Sequence, residues 1–124
     1  AIGRVQLKSI DQWVSQRGNN ATALNQGTKI RPNSQHSWHQ YCILSENPST
    51  LINELSASGI DAKIQYPTPC HRQSVFANHR QHDIIFPITD DIASRLVAIP
   101  VHPGLNREEI ERIITALSSV KAPN

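Results

Sequence analysis

A chain of 124 residues and 13.8 kDa points to a single domain. Its 12 Lys+Arg against 10 Asp+Glu leave a formal charge of +2, too balanced for the concentrated basic face that nucleic acid needs. Apolar residues make up 38% and aromatics 5%, so the expected core is small and aliphatic, and runs such as Leu96 to Ile99 fall far short of a membrane span. Two cysteines, Cys42 and Cys70, are too few for a disulfide scaffold and fit a reducing, cytoplasmic setting. The opening residues lack the charged-then-apolar pattern of a secretory leader.

Residues 2–16 read as a helix, with Ile2, Val5, Ile10, Trp13 and Val14 as its apolar stripe. No capping residue precedes it, which suggests a helix cut from a longer one. Residues 17–36 are polar and read as a frayed helix end followed by a loop. Residues 37–45 are rich in strand formers. Asn47-Pro48 then opens a helix with Leu51, Ile52 and Leu55 inside, and Gly59 suits its left-handed stop. Ile60, Ala62 and Ile64 alternate with Asp61, Lys63 and Gln65, the period of a half-buried strand.

From Tyr66 to Ile88 the periodicity is lost, and the stretch holds Pro67, Pro69, Pro87, His71, His79 and His82. A connection of that length in a compact domain is usually functional or mobile. Thr89-Asp90-Asp91 reads as a helix start with Ile92, Ala93 and Leu96 facing inward, followed by a short strand over 97–101. The last helix has the strongest start signal: Asn106 as cap, Glu109 three residues on, and Leu105 and Ile110 at staple spacing. The layout is three short strands covered by helices, a small α/β or α+β layer domain. Residues 1–17 form the cut helix and 37–120 the compact unit, with the loop at 66–88.

No G-x-S-x-G elbow and no phosphate-cradling glycine motif is present. The pairs His36/His39 and His79/His82 have metal-like spacing, but the first straddles a strand start and the second lies in a very polar run, so no metal is expected. The segment 65–73, Gln-Tyr-Pro-Thr-Pro-Cys-His-Arg-Gln, is more suggestive. Its two prolines stiffen the backbone and support Tyr66, His71 and Arg72, which suit hydrogen bonding or an anionic ligand. A proline-rich surface turn is the alternative.

These residues also carry a likeness. Ala1-Ile2-Gly3-Arg4-Val5-Gln6-Leu7, Trp38-His39-Gln40-Tyr41, Ser58-Gly59-Ile60-Asp61, Tyr66-Pro67-x-Pro69-x-His71-x-Gln73, Phe86-Pro87 and Ile99-Pro100-Val101-His102-Pro103 stand in the order and spacing of one family. The chain resembles the C-terminal third of the DegT/DnrJ/EryC1/StrS aminotransferases over roughly residues 1–119. The resemblance implies the small C-terminal domain of a fold type I enzyme, dependent on pyridoxal phosphate and working as a homodimer. Such enzymes take glutamate as amino donor and a nucleotide-linked keto sugar as acceptor, and the cofactor supplies the electron sink.

Carried over onto this chain, Tyr66, His71 and Gln73 become substrate-binding residues of the hallmark loop, and His39 and His102 structural ones. Gln65 stands where the family often has His, which removes a titrating group. Lys8, Lys29, Lys63 and Lys121 match none of the family's cofactor motifs, so this stretch is not expected to aminate a sugar alone. A sugar dehydratase of the same family and a freestanding noncatalytic sugar-nucleotide-binding module are the alternatives.

Overall fold

The computed structural model describes residues 2–28, 36–80 and 83–119. Helix α1 (Ile2–Gln6) passes through a 3-10 turn (Leu7–Ser9) into the long helix α2 (Ile10–Thr28). Strand β1 (Tyr41–Leu44), helix α3 (Pro48–Ala57) and the two-residue strand β2 (Lys63–Ile64) follow. Two further 3-10 turns (Cys70–Arg72 and Ser74–Phe76) lead to α4 (Pro87–Arg95), β3 (Leu96–Ile99) and α5 (Arg107–Ser119).

The sheet is antiparallel in the order β1-β3-β2. Tyr41 lies opposite Ile99 and Ile43 opposite Val97, so these four share one face; Cys42, Ala98 and Lys63 share the other. The first face meets Ala21 and Leu24 of α2, Leu51 and Leu55 of α3, and Ile113 and Ala116 of α5 in one aliphatic core. Leu24, Leu55 and Val97 are fully enclosed. Truncating either leucine to Ala would cost about 2–5 kcal/mol. Tyr41 is the one large aromatic fully enclosed among the described residues, and its hydroxyl donates to Asn25 Oδ1 at 2.8 Å. Burial pushes its pKa up, against a lowering by the Thr28 hydroxyl, so the donor stays protonated.

The three-stranded α+β layer follows the sequence expectation, with differences at the element ends. Helix α2 does not fray at residue 17 but continues to Thr28, and Asn20, Ala21 and Leu24 of that continuation are buried. The Asn20 amide donates to the His102 carbonyl at 2.9 Å, tying α2 to the turn after β3. The strand expected over 37–45 pairs at 41–44 alone; at 60–64, Ile60 and Ala62 are buried but residues 63–64 alone join the sheet.

Helix α4 starts at Pro87, not Thr89, because a proline at the first helical position needs no N–H partner there. It buries none of its residues, and Ile92, expected inside, is exposed. Asn47 does not cap α3 through its side chain; instead Ser45 Oγ accepts the Asn47 N–H at 3.1 Å.

Two helix ends are as expected. Gly59 takes φ +75°, its N–H donates to Ser56 O and that of Ile60 to Leu55 O, closing α3 with paired reversed bonds. At α5, Asn106 Oδ1 accepts from Glu109 N at 2.9 Å while Glu109 Oε2 accepts from Asn106 N at 2.8 Å. No described helix is long and apolar enough to cross a membrane.

Candidate functional site

The stretch after β2 is more ordered than its sequence suggests. Pro69 is held extended, and the Cys70–Arg72 turn closes through the Arg72 N–H to Pro69 O at 2.9 Å. The second turn follows at once, closed by Ala77 N to Ser74 O at 3.1 Å. Gln73 braces the pair, its Nε2 donating to Thr68 O at 2.9 Å. That leaves Gln73 Oε1 as the atom free of this brace.

Tyr66 begins the loop at φ +53°, a left-handed conformation that an aromatic residue before proline rarely takes. Such strain persists where surroundings over-determine it, and it concentrates at ligand-contacting positions. The Tyr66 side chain stands out into solvent, 67% exposed.

His71 turns the other way. Its side chain is 13% exposed, its Nε2 lies 3.3 Å from Asp90 Oδ1, and its ring meets the Phe86 ring edge-on at 4.7 Å between centroids. Arg72 Nη2 lies 3.7 Å from the other Asp90 oxygen, which also accepts the Phe86 N–H at 3.1 Å. One carboxylate on the first turn of α4 therefore gathers both ends of the loop. Asp90 was legible only as part of a helix start and Phe86 only as half of the Phe86-Pro87 likeness, because nothing local in the chain ties them to His71.

Among the other described histidines, His79 sets its ring edge-on to Phe76 at 6.3 Å between centroids, and the rest make backbone contacts. His36 Nδ1 accepts the Trp38 N–H at 2.7 Å, and Trp38, itself at φ +53°, stacks on His36 and Tyr41. Arg17 Nη1 donates to the carbonyls of Trp38 and His39 at 3.2 and 3.1 Å, fixing the start of β1 to α2. His102 contributes its carbonyl, which also accepts the Leu105 N–H, so the main chain and not the imidazole secures that turn. His82 lies outside the described residues. Among the described residues no group of three or more His, Cys, Asp or Glu is placed to hold a metal. Burial raises the Cys42 thiol pKa, the opposite of what an activated nucleophile needs.

Of the described lysines, Lys8 is exposed and Lys63 is drawn onto the Asp61 carboxylate at 2.9 Å on the surface. Neither sits in an enclosed site that would desolvate an amine for covalent work. Neither described lysine is therefore placed to hold pyridoxal phosphate as a Schiff base.

The stapled proline loop, the three-stranded antiparallel sheet and the long N-terminal helix are the architecture of part of a fold type I aminotransferase. The sequence profile of the DegT/DnrJ/EryC1/StrS aminotransferase family matches residues 1–118, and the chain belongs to that family. The erythromycin biosynthesis sensory transduction protein EryC1 of Saccharopolyspora erythraea is 27% identical over 130 residues, covering 96% of this chain and 35% of that protein. The UDP-N-acetyl-3-dehydro-alpha-D-glucosamine 3-aminotransferase of Acidithiobacillus ferrooxidans is 34% identical over 82 residues, 66% of this chain and 22% of that one. The crystal structure of Streptomyces venezuelae DesV, solved with a ketimine intermediate, superposes with a TM-score of 0.83 at 25% identity, over 94% of this chain and 34% of that one. The chain thus spans about a third or less of the length of these relatives.

Proposed function

We propose that this chain is the small C-terminal domain of a pyridoxal-phosphate-dependent aminotransferase that acts on nucleotide-linked keto sugars. Its relatives include named nucleotide-sugar transaminases, and the family as a whole uses this cofactor. The observation that carries the reading is the family match over 1–118 in a chain a third as long as its relatives. The cofactor's lysine and phosphate contacts then lie in the remainder of the polypeptide, and glutamate is the amino donor. The active unit is a homodimer in the cytoplasm.

In this reading the chain's own work is to bind and orient. Loop 66–76 covers the acceptor sugar: the Tyr66 hydroxyl and ring face it, Gln73 Oε1 offers an acceptor, and the His71 ring closes the side of the loop nearest α4. The brace from Gln73 to Thr68 and the fixed φ of Pro67 and Pro69 hold that cover preformed, which lowers the ordering cost on binding.

Two measurements test the proposal together. An immunoblot of source cells should show a band several times heavier than 13.8 kDa. The polypeptide in that band, supplied with pyridoxal phosphate, should convert a nucleotide-linked keto sugar to the amino sugar only when glutamate is present. A band at 13.8 kDa would end the reading for this chain and leave a noncatalytic binding module in its place.

A further inference from the structure

The loop's least exposed polar ring is not free to face a ligand in any orientation it chooses. His71 Nε2 has lost contact with solvent and makes no hydrogen bond, yet the Asp90 carboxylate stands beside it with Oδ1 at 3.3 Å. A buried ring nitrogen without an acceptor is costly, and an ionised carboxylate can only accept. The same carboxylate takes the Phe86 N–H, and Phe86 in turn sets its ring against the imidazole at 4.7 Å. Arg72, next to His71, faces the second oxygen at 3.7 Å. Three groups from two distant stretches of chain thus converge on one side chain that is itself fixed on a helix.

We propose that Asp90 is a positioning residue: its carboxylate fixes the His71 ring against Phe86 and so sets the face that loop 66–76 turns to the substrate. Nε2, closed off from solvent beside the Asp90 carboxylate, is then not the edge of the ring that a ligand would meet. Arg72 and the Phe86 N–H both meet the same Asp90 oxygen, so these two positions are held beside one carboxylate. The proposal rests on the reading that this loop covers the sugar, and its test separates the two.

The full-length polypeptide is compared with its Asp90→Asn, Asp90→Ala and Asp90→Glu variants, with ring-carbon-labelled histidine and the His71 signal assigned by His71→Gln. In the wild type the His71 ring protons should be displaced by the neighbouring Phe86 ring. Asp90→Asn keeps an acceptor for the Phe86 N–H but drops the charge, and it should move that signal toward those of exposed histidines. Asp90→Glu should recover part of the displacement. In turnover, Asp90→Asn should raise KM for the keto sugar about tenfold with kcat within about twofold, the pattern of lost binding geometry.

An unmoved His71 signal in both Asp90→Asn and Asp90→Ala would overturn the proposal, as would a collapsed signal with KM unchanged. Should Asp90→Ala fail to fold, Asp90→Asn and Asp90→Glu still decide it. If no nucleotide-linked keto sugar is turned over by the wild type, the functional reading falls, and the His71 signal alone decides whether Asp90 holds the ring.

Discussion

Tyr66 and Trp38 share φ +53°, yet they occupy opposite situations. Trp38 is pinned by stacking and by Arg17, so its conformation is held by packing. Tyr66 stands two-thirds in solvent at the start of a proline segment, and little side-chain packing holds it there. A left-handed non-glycine residue costs roughly 1–2 kcal/mol, and glycine removes that cost while adding about 0.5–1 kcal/mol of unfolded-state freedom. Tyr66→Gly should therefore leave the urea midpoint unchanged or slightly raised. If the ring faces the sugar, the same variant should weaken turnover of the keto sugar, and Tyr66→Phe should lose less. A marked drop in stability for Tyr66→Gly would mean that the ring is a packing residue and not a contact to substrate.

Helix α2 shows most plainly what a sequence hides. Its second half carries Gly18, Asn19, Asn20 and Gly27, all weak helix formers, and local propensity therefore reads it as fraying. Tertiary contacts decide otherwise. Asn20 spends its amide on the His102 carbonyl, and Gly27 lets Ile114 of α5 come so close that a Cβ there would sit 2.5–2.7 Å from its side-chain carbons. The stops of α3 and the start of α5 were legible because glycine in the left-handed region and the reciprocal Asn106–Glu109 pair are local devices. The start of α4 carried the same kind of signal in Pro87, but the acidic pair after it drew the boundary two residues late. The loop stood out in the sequence through its prolines with Tyr66, His71 and Arg72, and Gln73 entered only through the family likeness. Their arrangement was not legible, since Asp90 reaches His71 only through the fold.

The two glycines of α2 make a direct comparison. A Cβ at Gly18 meets nothing within 4 Å, so Gly18→Ala should stabilise by about 0.4–1 kcal/mol through helix preference alone. Gly27→Ala gains the same preference but drives into Ile114, a β-branched side chain with little freedom to turn aside. Overpacking of that kind costs about 1–3 kcal/mol, so the net change should be a loss of about 1 kcal/mol. Ile114→Ala should relieve the clash, giving a favourable coupling when combined with Gly27→Ala in urea unfolding. Additive behaviour of the pair would show that α2 and α5 shift apart freely instead of packing closely.

At the scale of the whole molecule, the core and the apolar surface are in different places. The core draws on the second half of α2, α3, α5 and the sheet, while Ile2, Val5, Leu7, Ile10, Trp13 and Val14 lie exposed along α1, the turn and the first half of α2. An apolar stripe of that continuity is unusual on a soluble surface unless something covers it. The proposed occupant is the rest of an aminotransferase subunit, in keeping with a chain that spans a third of its relatives. Two behaviours should then separate. The 124-residue chain alone should self-associate as its concentration rises, and Val5→Asp with Val14→Asp should abolish that association without lowering its melting temperature, because neither side chain belongs to the core. In the full-length polypeptide the same double substitution should lower stability, because there it places two carboxylates in a closed interface. Sedimentation velocity and thermal unfolding of both forms check this. A wild-type fragment that stays monomeric across a wide concentration range, with a full-length form indifferent to the substitutions, would mean that this stripe faces water in the native protein.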